Sequence, residues 1–173
     1  MQESAEYYND TAVHLAMNGQ HDEAIACLRK GLSLDPKNPT LWFNLALSSR
    51  AVGRLSDAKG ALLQAAQANP LDVDVLDTLG IVLHESGDDA DAEESYGHAL
   101  EIDPGNGRVW NNYGVLLFGQ SRFDEARKAF EKAVALVPDF DDALYNLRDT
   151  YEELGRFDEM KKCAEILERR GVT

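Results

Sequence analysis

The sequence predicts an all-α fold built as an array of five helical hairpins, and three observations carry that expectation. Four of its five prolines, Pro36, Pro70, Pro104 and Pro138, stand 34 residues apart, and only Pro39 lies off the comb. A small residue recurs on the same period at Gly19, Gly53, Gly87, Ser121 and Gly155, as suits a helix that must end in a left-handed residue. Between these marks, apolar residues fall three and four apart, the spacing of one helix face.

The fullest copy runs from Arg108 to Pro138. Trp110, Tyr113, Gly114 and Leu117 share a face of a first helix, the chain breaks at Gln120 to Arg122, and Ala126, Phe130, Ala133 and Val137 share a face of a second helix. Small residues sit where two backbones must approach closely. The same columns recur along the chain: Tyr8, Trp42, Leu76 and Leu144 match Trp110; Ala24, Ala58 and Ala92 match Ala126; Leu28, Leu62 and Tyr96 match Phe130.

These columns resemble the tetratricopeptide repeat, whose pattern reads W, L, G, Y, then A, F and P in a unit of 34 residues. The resemblance implies a right-handed superhelical α-solenoid, a single array over residues 1–173 with repeats 5–38, 39–72, 73–106, 107–140 and 141–173. It also implies that first helices line an inner, concave surface where members of this family hold extended peptides or partner helices.

Taken in order, the first hairpin starts at Ala5 after a cap at Ser4, and Thr11 and Ala12 replace its large and glycine residues, as befits a terminal repeat. The second enters through Asn38 and Pro39, a capping side chain followed by a proline in the first turn. Asp72 and Asn106 hold the same junction place. In the third hairpin Asp89 replaces the apolar residue seen as Leu55, Phe123 and Phe157. Glu85, Asp88, Asp89 and Asp91 there suit an exposed turn with acids in the first turn of a helix, favoured by the helix dipole. A cation site is the competing reading, although neither an EF-hand loop nor HExxH is present. The fifth hairpin has Val172 in place of its proline and Met160 in place of alanine. Its second helix, Phe157 to Arg169, reads as a polar cap; alternatively Met160, Cys163, Ile166 and Leu167 form a seam with a second copy, and a homodimer stays open.

With 44% hydrophobic and 28% charged residues the chain can bury a core and keep a polar surface. No apolar run approaches a membrane span of roughly 20 residues. Met1 to Asn9 shows no basic or apolar leader, so a cytoplasmic protein is expected, although a mature form with its leader removed would read the same. Cys27 and Cys163 share a column four units apart, too far for a disulfide if neighbouring helices pack about 10 Å apart.

Thirty-one acids against 17 bases give a net charge of -14, which repels nucleic acid and anionic lipid. The four histidines fall in different columns, and there is no phosphate loop, metal-spaced cysteine pair or nucleophile elbow. No enzyme activity, metal or cofactor is expected.

The expected function is a non-enzymatic adaptor binding a protein or peptide segment. On the inner face, Asn44, Asn112 and Asn146 occupy one column, with Asn111 beside it; an amide can donate to and accept from a peptide backbone at once. The column resembles the asparagine ladder in the repeat domain of O-linked N-acetylglucosamine transferase, interrupted here by Asp10 and Thr78. Phe43, Leu47, Ile81, Val115, Phe118 and Tyr145 form an apolar floor. Nine acids, Glu6, Asp10, Asp74, Asp77, Glu85, Asp142, Asp149, Glu152 and Glu153, face two bases, Arg50 and Arg108, so the segment should be neutral or basic. Replacing Asn112 and Asn146 by Ala is expected to weaken the partner with little effect on the melting curve. The family's clamp for chaperone C-terminal carboxylates needs lysine, asparagine, asparagine, lysine and arginine; here those places hold Asn9, Val13, Asn44, Asp74 and Thr78, so chaperone tails are not expected to bind. Self-association through the terminal helices is the alternative function.

Overall fold

The computed structural model describes residues 4–172. The first three residues of the stretch read for a leader, and Thr173 at the end of the fifth repeat, lie outside the described residues. In chain order the helices are α1 (Ala5–Met17), α2 (His21–Leu34), α3 (Pro39–Ala51), α4 (Leu55–Ala68), α5 (Val73–Glu85), α6 (Asp89–Ile102), α7 (Gly107–Gly119), α8 (Phe123–Leu136), α9 (Asp141–Glu153) and α10 (Phe157–Arg169), and α1 packs with α2, α3 with α4, α7 with α8 and α9 with α10 as the first and second helices of hairpins. Among the described residues there is no strand, so the all-α class that the columns imply is what the structure has. The chain forms two compact units, one up to Ser95 and one from Tyr96, with the boundary inside α6.

First and second helices start differently. Ser4, Asn38, Asp72 and Asn106 each offer a side-chain oxygen to a backbone N–H in the first turn of α1, α3, α5 and α7, which satisfies donors the helix leaves open. Phe140 before α9 gives no such cap. The second helices α2, α4, α8 and α10 also start without a side-chain cap, and carry acids in the first turn instead, where the helix dipole favours negative charge.

The tryptophan and proline columns are linked by a hydrogen bond. Trp42 Nε1 donates to the Pro36 carbonyl at 2.9 Å, and Trp110 Nε1 to the Pro104 carbonyl at 3.0 Å. Each indole thereby ties the start of a first helix to the turn before it. Its N–H is satisfied while its ring is half-buried.

Packing follows the columns. In the first unit Ala24, Ala58, Leu28 and Leu62 are fully buried; in the second Ala126, Ala129 and Phe130 join Leu117, Leu144, Leu147 and Tyr151 in one cluster. Gly114 on α7 lets the Phe130 ring of α8 lie against its backbone: a Cβ there would come within 2.6 Å of a ring carbon. Val137 departs from expectation, since α8 ends at Leu136 and Val137 is exposed beyond it. Cys163 and Leu167, read above as half of a seam, are buried in the second unit's core, because α10 turns that face onto α9. They are therefore withdrawn from any surface seam.

The turn column has positive φ throughout, from Gly87 at 81° to Ser121 at 60°. Serine carries a steric cost there that glycine does not. Ser121→Gly is therefore expected to raise the stability of the second unit by about 0.5 kcal/mol, the strain relieved less the extra unfolded-state entropy of glycine. A urea titration of the two proteins checks this, and a lower midpoint for the glycine variant would contradict it.

Candidate binding surface

The face expected to bind is built from residues of the first helices that point away from their own hairpin partners. Each unit presents its own portion, and the two portions differ in what they leave available.

In the first unit, α1 and α3 are joined by amides. Asn44 Nδ2 donates to Asn9 Oδ1 at 2.8 Å. Leu47 is exposed, and Phe43 and Ile81 are half-buried. Arg50 does not stand as a lone base: its Nε donates to Glu85 Oε2 at 2.8 Å and its Nη2 to Oε1 at 2.5 Å. That contact holds the Glu85 carboxyl below its ordinary pKa. Asp77 corrects the expectation of a displayed charge, since it is only 2% exposed. The cause is α5 itself, buried continuously from Val75 to Gly80, so its fifth and sixth places do not reach solvent. Thr78 is buried too, and its hydroxyl donates to the Asp74 carbonyl at 2.7 Å.

The acidic turn before α6 is occupied by cationic and histidine side chains. Lys59 Nζ lies 2.7 Å from Asp88 Oδ2, and His84 Nδ1 lies 2.7 Å from Asp89 Oδ1. With Arg50 on Glu85, three of the four acids read as cation ligands are paired, and the described residues include no group of three or more potential metal ligands. His84 and Asp89 meet at the start of a helix, in a turn where the Ser86 hydroxyl donates to the Val82 carbonyl at 2.8 Å.

In the second unit, Asn146 Nδ2 on α9 donates to Asn111 Oδ1 on α7 at 2.9 Å. Asn111 is only 7% exposed, so it serves mainly as Asn146's acceptor; Asn112, next to it, is half-buried. Beside this pair lies a cleft of about 80 Å³ lined by Val115, Phe118, Phe130, Asn146 and Asp149. Val115 is 40% exposed, and Phe118 packs edge-on against Phe123 at 5.2 Å between centroids. Tyr145 lies under the Arg148 guanidinium, 4.8 Å from the ring centroid, and Arg148 Nη2 lies 2.7 Å from Asp149. Asp142, Glu152, Glu153 and Arg108 are exposed. Away from the cleft, Tyr151 donates to Glu131 at 2.8 Å, and burial together with that bond pushes its pKa up to about 12.

The structure thus places Asn44, Asn112 and Asn146 on first helices as expected, but gives two of them donors' roles toward Asn9 and Asn111. The missing acceptor was Asn9. Its signal was present, because Asn9 precedes Asn44 by 35 residues, as Asn111 precedes Asn146. One repeat plus one residue carries the fifth place of one hairpin to the sixth of the next.

Comparison with known proteins bears on the fold and family. Profiles described as TPR repeat or tetratricopeptide repeat match residues 15–48, 43–107, 95–128 and 117–165. The chain is 31% identical over 138 residues to the peroxisomal targeting signal receptor of Kluyveromyces lactis, covering 78% of this chain and 24% of that protein. It is 33% identical over 129 residues to the type IV pilus assembly protein PilF of Pseudomonas aeruginosa, covering 73% of this chain and 49% of that one. The chain therefore spans about a quarter of the first relative and about half of the second. A solved structure of pilF superposes with a TM-score of 0.86 at 18% identity, covering 95% of this chain and 75% of that one. The crystal structure of MamA gives 0.83 at 22%, covering 94% and 97%. Among the described residues no helix is long and apolar enough to cross a membrane.

Proposed function

This chain belongs to the tetratricopeptide repeat family, and from that premise we propose that it is a non-enzymatic adaptor that holds a neutral or basic extended protein segment against its first helices. The observation that carries the proposal is the cleft between α7 and α9. Its apolar floor of Val115, Phe118 and Phe130 accepts one aliphatic side chain, and Asn146 and Asp149 stand at its edge for a backbone amide or a cation. Exposed Asp142, Glu152 and Glu153 on α9 favour a basic flank. The name of one relative, a targeting signal receptor, agrees with capture of a protein segment.

Nucleic acid and chaperone C-terminal carboxylates are excluded from this proposal by the chain's charge of -14. A cytoplasmic setting belongs to it as well, supported by two free cysteines.

The test uses two fluorescent nonapeptides, one alternating leucine with lysine and one alternating leucine with glutamate, titrated by anisotropy. Only the lysine peptide is expected to bind, and Val115→Lys should weaken it roughly tenfold, the effect of a like charge placed in the cleft. Val115 is exposed, so this variant should melt as the parent does. Equal binding of both peptides, or indifference to Val115→Lys, would overturn the proposal. So would micromolar binding of an acidic C-terminal pentapeptide.

A further inference from the structure

A second surface lies on the second helices of the first unit, outside the peptide site. Between α2 and α4 runs a trough of about 530 Å³, floored by Leu32, Trp42, Leu45 and Ala61 and rimmed by Arg29 and Asp57. It adjoins another cleft past Trp42 that reaches Lys37. Gly60 opens it: a Cβ at this position would meet nothing within 4 Å, so no packing contact requires glycine in the middle of this helix. The other hairpins carry Ala26, Glu94, Lys128 and Lys162 at that place. Trp42 donates its N–H to Pro36, so it offers the trough only apolar ring surface.

The chemistry of this trough is unlike that of the rest of the chain. Arg29 and Lys37 outnumber Asp57 on a protein of net charge -14, and the Arg29 to Asp57 contact is loose at 3.6 Å. The trough therefore suits an apolar side chain with a carboxylate next to it.

The chain itself displays such a group. Phe157, the first residue of α10, is 62% exposed and is followed by exposed Asp158. Its repeat counterpart Phe123 is covered by Phe118, but the residue at Phe118's place in the last hairpin is Glu152, which provides no ring. We propose that Phe157 of one copy seats in the trough between Trp42 and Gly60 of a second copy, with Asp158 facing Arg29 or Lys37. Each copy carries both halves, so association either closes as a reciprocal pair or runs head to tail.

Sedimentation equilibrium over a concentration series tests this with three proteins. The parent is expected to exceed monomer mass as its concentration rises from about ten micromolar to about one millimolar, the range of a small contact. Gly60→Leu, which fills the trough, and Phe157→Ser, which removes the ring, should each remain monomeric. An equimolar mixture of the two should recover association, because one supplies the ring and the other the open trough. Circular dichroism melting separates loss of contact from loss of fold, and Gly60→Leu should melt no lower than the parent. The Val115→Lys variant should associate as the parent does, which keeps this result distinct from that of the peptide site. A parent that stays monomeric throughout, a variant that associates unchanged, or a mixture that fails to recover association would overturn the proposal.

Discussion

Gly114→Ala is expected to destabilise the second unit by about 1–3 kcal/mol, the range for forcing an extra carbon into a packed core. The added Cβ would lie 2.6, 2.7 and 2.9 Å from three carbons of the Phe130 ring. That ring is 1% exposed and held among Leu117, Leu144 and Leu147, so it has no free end to swing aside. Phe130→Ala alone should cost about 3–5 kcal/mol through lost burial and the cavity left behind. The informative protein is the double variant. With the ring gone, the added methyl group has room, and alanine then gains about 0.5–1 kcal/mol over glycine from helix propensity. The effect of Gly114→Ala should thus change sign between the two backgrounds, a coupling that urea denaturation of the four proteins measures directly. If the Gly114→Ala penalty is equally large in the Phe130→Ala background, the ring is not what requires the glycine.

Asn146→Ala is expected to cost about 1–3 kcal/mol, because it leaves the oxygen of a nearly buried amide without a donor. The affected group is Asn111, whose oxygen accepts from Asn146 at 2.9 Å. Asn44→Ala breaks a bond of the same kind, yet its acceptor Asn9 is only half-buried and water can replace the lost donor, so about 0.5–1.5 kcal/mol is expected. Removing Asn111 and Asn146 together should cost less than the sum of the single changes. Thermal melts of the four single and double variants decide this, and an Asn146→Ala melt identical to the parent's would remove the structural role. For Asn146 this replaces the expectation of little effect on melting. Loss of binding in an Asn146 variant would mix two causes, which is why Val115→Lys is the cleaner probe of the cleft.

The contrast between these cases shows what a repeated sequence exposes. Helix starts and ends depend on caps, glycines and prolines a few residues away, so Asn38, Gly53 and Pro104 marked their elements directly. Packing within a hairpin depends on periodicity, and the columns of Ala126 and Phe130 showed which residues would be buried. The expectation failed at Val137, where the periodic face continued in the sequence but the helix had already ended.

The helices and, apart from Val137, the repeated columns of residues packed in the hairpins could be read from the chain alone, because each rests on contacts close in sequence or repeated every 34 residues. Which polar groups remain for a ligand could not be read that way. Asn44 meets Asn9, Asn146 meets Asn111 and Arg50 meets Glu85, each across 35 residues, while Asp77 is buried with its helix. A helical face shows which side chains share a direction. It takes neighbouring helices, packed side by side, to set which of those side chains satisfy one another and which still face solvent.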